Sequence, residues 1–143
     1  MTRDQQKIMK FMEFCESLAE LSTCKRNQCG AIILPFDCTS VRSIGYNGPP
    51  RGVRNDSCTE VEGDCGCVHA ETNAVIKFGY IEDRRPHILY STTAPCKNCA
   101  SLILNCPPIE TVIYDKPYRT NIGIVLLIDH GVKVMTKERW LER

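Results

Sequence analysis

Two short segments, His69-Ala70-Glu71 and Pro95-Cys96-Lys97-Asn98-Cys99, constrain the folding of this chain more than any other feature. An imidazole and two sulfurs form a metal-ligand set only if the fold carries these distant stretches to one point. Cys96 and Cys99 are spaced i, i+3, so on the first turn of a helix both sulfurs face one way. The free N–H groups and positive dipole end of that turn stabilise thiolates, the form that binds zinc. His69 makes a third ligand and leaves a fourth tetrahedral position to water, the arrangement that separates catalytic from structural zinc. Glu71 adds a geometric demand. In mid-helix, side chains two residues apart diverge, so Glu71 and His69 converge only if His69 lies at or before the first turn. A structural zinc site or a redox pair remains the alternative, although neither uses Glu71 or the leading proline.

Composition narrows the setting. The chain has 143 residues and a formal net charge of +1, enough length for one domain with a sizeable core and no broad basic footprint for nucleic acid. One domain over residues 1–143 is expected, with no repeat, linker or low-complexity tract. Asp4, Lys7, Lys10, Glu13 and Glu16 interrupt the apolar residues of the N-terminal segment, unlike a signal-peptide core. The run Ile122 to Ile128 is too short for the ~20 residues of a membrane span. A cytoplasmic location, without membrane association, is therefore expected. In that reducing setting the ten cysteines point to metal or catalysis rather than disulfides. Cys15, Cys38 and Cys106, without ligand spacing, read as small buried hydrophobes.

Hydrophobic periodicity supplies the frame. Ile8, Met12, Cys15 and Ala19 mark an amphipathic opening helix. Gly30 to Leu34 and Val41 to Tyr46 form a hairpin around a Pro-Phe-Asp turn. The stretch from Asn47 to Val68 carries no periodic element, and a loop that long is usually functional or held by something. Ala70 to Phe78 is a helix stopped by Gly79, His87 to Thr92 a strand, Lys97 to Asn105 a helix, and Thr111 to Tyr114 a strand. Thr120 is the expected cap of a helix reaching about His130, with Gly131 as its stop. Val132 to Met135 and a short charged helix follow. The alternation implies a partly parallel sheet covered on both faces. His87 and His130 read as ordinary structural residues.

The combined His-x-Glu and Pro-Cys-x-x-Cys pattern matches the zinc-deaminase signature. Together with Cys29-Gly30-Ala31-Ile32-Ile33, Ser43-Ile44-Gly45-Tyr46-Asn47-Gly48-Pro49, His69 to Ala74 and Ala94 to Cys99, it makes the chain resemble the cytidine/deoxycytidylate deaminase superfamily over nearly its whole length. It looks most like the dCMP deaminases of bacteriophage and bacterial type, the Gly-Tyr-Asn-Gly element being the more specific marker. The resemblance implies an α/β fold, a three-layer α/β/α sandwich around a five-stranded mixed sheet, often assembled into hexamers. It implies zinc-dependent hydrolysis of dCMP to dUMP and ammonia for thymidylate synthesis, regulated by dCTP and dTTP with Mg2+ on the triphosphate. Glu71 would be the catalytic acid–base residue and His69, Cys96 and Cys99 the zinc ligands. Asn47 would contact the sugar, the backbone of Ala70 the base carbonyl, and the backbone near Ala94 the amine.

The same resemblance gives Gly45, Tyr46, Asn47 and Gly48 to the effector site, with Arg51 and Arg54 as candidates for the triphosphate. Asn-Gly is also an ordinary strand-ending turn pair. Arg26 is the candidate substrate-phosphate contact, because it precedes the strand whose neighbour delivers Asn47, and Tyr118 is a candidate to close over the nucleotide. Cys58, Cys65 and Cys67 crowd the long loop, and with Cys24 they would form a second, structural zinc site that orders it. Cys29 is a spare candidate there but reads better as the first inward residue of a strand, and free surface thiols are the plainer alternative. Some phage members of the family hold a second zinc in the corresponding region, partly on histidines, which are absent here. Other readings are a deaminase of dCTP, a deaminase of a base in RNA, and a zinc-stabilised interaction module without turnover.

Overall fold

The computed structural model describes residues 1–79 and 82–142. Ten elements follow in chain order: α1 (Arg3–Ala19), β1 (Gly30–Pro35), β2 (Ser43–Tyr46), α2 (Ala70–Phe78), β3 (His87–Thr93), α3 (Lys97–Leu104), β4 (Ile109–Lys116), α4 (Ile122–Asp129), β5 (Lys133–Thr136) and α5 (Lys137–Leu141). The strands form one sheet in the order β2-β1-β3-β4-β5. β1 is antiparallel to β2 and β3, whereas β4 runs parallel to β3 and β5. This is the expected five-stranded mixed sheet.

Alternation along the strands builds a core on each face. Ile32, Leu34, Ile88, Tyr90 and Ile113 join Met12, Cys15 and Leu18 of α1 and Trp140 of α5 on one face. Ala31, Ile33, Leu89 and Val112 point the other way, toward Ala70, Ala74 and Phe78 of α2, Ala100 and Ile103 of α3, and Leu127 of α4. Two helices therefore cover one face and three the other, giving the three-layer α/β/α sandwich. Cys15, Cys38 and Cys106 are buried, as expected of small apolar residues.

The differences from the sequence reading have physical causes, local at α1 and tertiary at β4 and α4. α1 starts at Arg3 because Thr2 and Gln5 close a reciprocal capping box ahead of the apolar stripe. β4 extends to Lys116, which pairs with Thr93 of β3. Thr120 does not cap α4. Asn121 holds that position without a side-chain cap bond, and tertiary contact fixes the helix start instead. A Cβ on Gly123 would stand 2.3 Å from the Pro95 carbonyl oxygen and 2.8 Å from the Cys96 carbonyl carbon.

Topology decides where a site can form. The C-terminal ends of β2, β3 and β4 and the N-terminal end of β1 lie at one end of the sheet. Tyr46-Asn47, Thr93 to Cys96, Pro117-Tyr118 and Cys29 are thereby delivered together. α2 reaches that end by lying close on β2, where a Cβ on Gly45 would stand 2.2 Å from the Ala70 carbonyl oxygen and 2.7 Å from the Ala74 nitrogen. Backbone cannot yield as a side chain can. Gly45→Ala is expected to destabilise the protein by about 3 kcal/mol, read as a melting temperature several degrees lower at unchanged helix content.

Candidate active site

His69 is the N-cap of α2, with extended backbone at φ −69° and ψ 153°. This meets the demand set by Glu71. The preceding residue is fixed by a two-way pairing of Val68 with Gly48: Val68 N–H donates to the Gly48 oxygen at 2.7 Å, and Gly48 N–H to the Val68 oxygen at 3.2 Å. The two ends of the long loop are thus joined just before the imidazole. Cys96 is the N-cap of α3, its sulfur accepting from the Cys99 N–H at 3.5 Å.

The three donor atoms converge. His69 Nδ1 lies 3.4 Å from Cys96 Sγ and 3.3 Å from Cys99 Sγ. A tetrahedral zinc ion with bonds of about 2.0 Å to nitrogen and about 2.3 Å to sulfur requires N···S separations of roughly 3.5 Å. The donor set and its spacing therefore fit zinc. Thr72 Oγ1 lies 3.4 Å from Cys99 Sγ and steadies that ligand.

Electrostatics prepares one thiolate but not two. The Cys96 thiol is pushed down to about 3, chiefly by the Cys99 thiol donating to it, then by His69 and the Cys99 N–H. Cys99 is raised, because its proton is held by Cys96 and because it is buried. His69 is raised by its hydrogen bond to Cys96. Glu71, 5% exposed, is lifted to about 7, first by burial. The Ser91 hydroxyl is buried without another protein partner and favours the charged form of Glu71.

These groups open into a cavity of about 360 Å³, within the range of ligand sites. Its buried part is made by Ala70, Glu71, Ala94, Cys96 and Asn47, and its exposed part by Arg26, Glu62 and Arg119. Asn47 Oδ1 accepts from the Cys29 N–H at 2.8 Å and its Nδ2 donates to the Asn27 oxygen at 2.7 Å. One lone pair and one amide proton remain for a ligand.

Cys24, Cys58, Cys65 and Cys67 form a second cluster, with all four sulfurs within 4.8 Å of one another. Cys24 and Cys58 sulfurs are 4.0 Å apart, against roughly 3.8 Å for the edge of a tetrahedral zinc-thiolate site. Cys58 is lowered to about 7, mainly by the Lys25 backbone N–H. Cys29 stays outside this cluster, one residue before β1, its sulfur 3.4 Å from Thr93 Oγ1.

Of the remaining sequence candidates, Arg26 and Tyr118 line the cavity. Arg51 and Arg54 are exposed and do not line it, and Arg54 pairs with Asp56 at 2.7 Å. Gly45 is buried under α2, so close packing accounts for it. Tyr46 is half-buried, with Lys77 Nζ 5.6 Å from its ring centroid, and Gly48 joins Val68. Sequence reading missed Thr72, Ser91, Glu62 and Arg119. For Arg119 the only signal was its place after Tyr118. Thr72 and Ser91 gave none, because their contacts depend on how α2 and β3 pack.

These features define a class: an α/β/α sandwich with a His-Cys-Cys metal site beside a buried carboxylate. The model of the cytidine and deoxycytidylate deaminase zinc-binding region matches residues 5–116, and the chain belongs to that family. It is 32% identical over 120 residues to the deoxycytidylate deaminase of Schizosaccharomyces pombe, covering 76% of this chain and 36% of that protein. The chain thus spans about a third of the curated relatives it matches. Cyanophage S-TIM5 dCMP deaminase, in its structure in complex with dCMP and dUMP, superposes with a TM-score of 0.80 at 29% identity, over 95% of this chain and 98% of that one. Acinetobacter baumannii RibD shares the fold, with a TM-score of 0.68 at 18% identity over 93% of this chain and 36% of that one.

Cys99 must lose its proton to ligate. Metal uptake at this site should therefore release protons, and apparent zinc affinity should fall as the pH is lowered from about 8 to about 6. Competition with a chromogenic chelator across that range checks this, and a flat profile would contradict the protonated Cys99.

Proposed function

We propose that this chain acts as one zinc-dependent deaminase domain that hydrolyses dCMP to dUMP and ammonia. The observation that carries the reading is the convergence of His69, Cys96 and Cys99 beside buried Glu71 in one cavity. His69, Cys96 and Cys99 would hold zinc, which would supply a water acidified from about 15.7 to about 7. Glu71, its pKa lifted to about 7 first by burial, takes in its ionised form a proton from the attacking water and delivers it to the ring nitrogen, then takes the hydroxyl proton of the tetrahedral adduct and passes it to the amine, which leaves as ammonia while the carbonyl forms. Ala70, the first residue of α2, carries an N–H without an intrahelical partner, suited to the base carbonyl. The N–H of Ala94 is taken by the Lys116 oxygen at 2.8 Å, so its carbonyl faces the amine role. Asn47 offers its remaining amide proton and lone pair to the sugar, Arg26 meets the phosphate, and Tyr118 covers the nucleotide.

The substrate assignment is supported by the dCMP and dUMP named with the cyanophage relative. A net charge of +1 speaks against a base within RNA, and a binding module would have no use for a buried acid beside the metal. Deamination of dCTP is the second reading. Control by dCTP and dTTP with Mg2+, through Tyr46, Gly48, Arg51 and Arg54, belongs to the proposal on family resemblance, as does hexamer formation. Exposed Ile122, Val125 and Ile128 give α4 an apolar stripe for another subunit to cover. No helix among the described residues is long and apolar enough to cross a membrane, which is consistent with a cytoplasmic enzyme.

Side-by-side assay of dCMP, dCTP, deoxycytidine and CMP, with and without dTTP, tests the substrate and the control. Glu71→Gln should lower kcat for dCMP by about 10²- to 10⁴-fold with zinc still bound. Undiminished ammonia release from that variant would end the assignment.

The four-cysteine cluster is proposed as a structural zinc site that orders the loop. Purified protein should hold about two zinc per chain, and Cys58→Ser about one. A single equivalent, unaffected by that substitution, would refute it.

A further inference from the structure

The first turn of α2 carries three functional groups, His69 at the N-cap, Glu71 and Thr72. His69 and Thr72 are spaced i, i+3, so they share one side of the turn. That side meets the start of α3. There the imidazole approaches both sulfurs, and the Thr72 hydroxyl oxygen lies 3.4 Å from Cys99 Sγ. The two sulfurs are supported differently. Cys96 Sγ accepts from a backbone donor, the Cys99 N–H, at 3.5 Å. Cys99 Sγ has no such donor from its own helix among the described residues, and the Thr72 side chain reaches it from α2 instead. Cys99 is 1% exposed, which leaves water little room to take the place of the hydroxyl. The β-branch of Thr72 restricts χ1 within the helix, so the oxygen is held where it stands.

A thiolate has no proton to give, so with a metal bound the hydroxyl must be the donor of this pair. Resting on the zinc-deaminase reading above, we infer that Thr72 is a positioning residue for the metal site. Its hydroxyl donates to the Cys99 thiolate, takes up part of the charge on that sulfur, and so leaves a bound cation more electron-poor toward the water it activates. Each sulfur then has one donor, from the backbone of α3 for Cys96 and from a side chain of α2 for Cys99. A hydrogen bond to a charged group is stronger than one between neutral groups, and a buried thiolate left without one is costly. Partners of metal ligands typically change metal affinity or activity by about 10- to 100-fold.

Two variants separate the hydroxyl from the rest of the side chain. Thr72→Val keeps the branched shape and removes the hydroxyl, whereas Thr72→Ser keeps the hydroxyl and removes the methyl group. Zinc retention is read by titration with a chelator, the four-cysteine cluster being common to all three proteins. Thr72→Val should hold zinc at the three-donor site about 10-fold less tightly, and Thr72→Ser should stay near the unsubstituted protein. Cobalt-loaded protein gives a second readout, taken as the difference between each variant and the unsubstituted protein. Losing a hydrogen bond raises the energy of the sulfur electrons, so the sulfur-to-cobalt charge-transfer band should move to longer wavelength in Thr72→Val and not in Thr72→Ser. With zinc saturating, kcat for dCMP should fall about 10-fold in Thr72→Val at nearly unchanged KM. An unshifted cobalt band in Thr72→Val, whatever its zinc affinity, would overturn the inference. An equal shift in Thr72→Ser would overturn it too, by tracing the effect to packing. Unchanged kcat in zinc-saturated Thr72→Val would overturn the effect on the activated water. Absence of ammonia release by the unsubstituted protein would instead overturn the deaminase reading, whereas the cobalt band tests Thr72 without turnover.

Discussion

The approach of His69 Nδ1 to the sulfurs of Cys96 and Cys99, at 3.4 and 3.3 Å, is the constraint on which the rest of this molecule turns. It requires two helix N-termini to meet at one end of the sheet, each with a ligand at its cap. That in turn requires α2 to lie on β2 without a side chain at Gly45, and α4 to press against the Pro95-Cys96 backbone without one at Gly123. Both glycines serve contact rather than turning. The parallel pairing of β3 with β4 then brings Pro117 to Arg119 beside the metal ligands. Layering, strand order and backbone contact all converge on one small volume.

The long loop is bound into the same arrangement. Its ends are joined by the Gly48–Val68 pairing, and its second half carries three of the four clustered cysteines. Cys24, Cys65 and Cys67 also line the cavity that Glu71 opens into. The loop is therefore a wall of the candidate site, and whatever orders it shapes the space where a ligand would sit. A stretch of some twenty residues with neither helix nor strand is uncommon inside a compact domain and is usually functional or held by something else. Cys58, Cys65 and Cys67 of its second half meet Cys24, which follows α1, with all four sulfurs within 4.8 Å of one another, and the proposed structural zinc would supply the cross-link.

Much of this was legible in the sequence because each signal was local. The α2 boundaries, Ala70–Phe78, were readable from periodicity and Gly79, and the position of His69 at the cap followed from its spacing to Glu71. The cysteine cluster was visible as crowding. Non-local signals were not readable. Thr120 had the chemistry of a cap, but α4 begins where Gly123 meets Pro95, a contact between segments far apart in sequence. Arg119 looked like any surface arginine until Glu62 and the cavity were placed beside it. Gly45 read as part of a ligand-binding turn, whereas its burial under α2 shows a packing demand that no local pattern reveals.

The charges explain why the candidate site calls for a divalent cation. His69, Glu71, Cys96 and Cys99 offer up to three anions to one imidazole in a largely buried space. The protein groups alone cannot all ionise there: Cys96 is held down, but Cys99 and Glu71 are both pushed up. Two thiolates beside a dication are neutral overall, so the metal would take the place of the proton shared with Cys96 and offset the burial that keeps Cys99 protonated. Glu71, no ligand in the three-donor set, is then left with burial as its main perturbation and can alternate between its two forms near neutral pH. The feature that makes the ligand set hard to ionise on its own, close packing of acidic groups away from water, is what keeps the carboxylate suited to passing protons once the thiolate charge is matched.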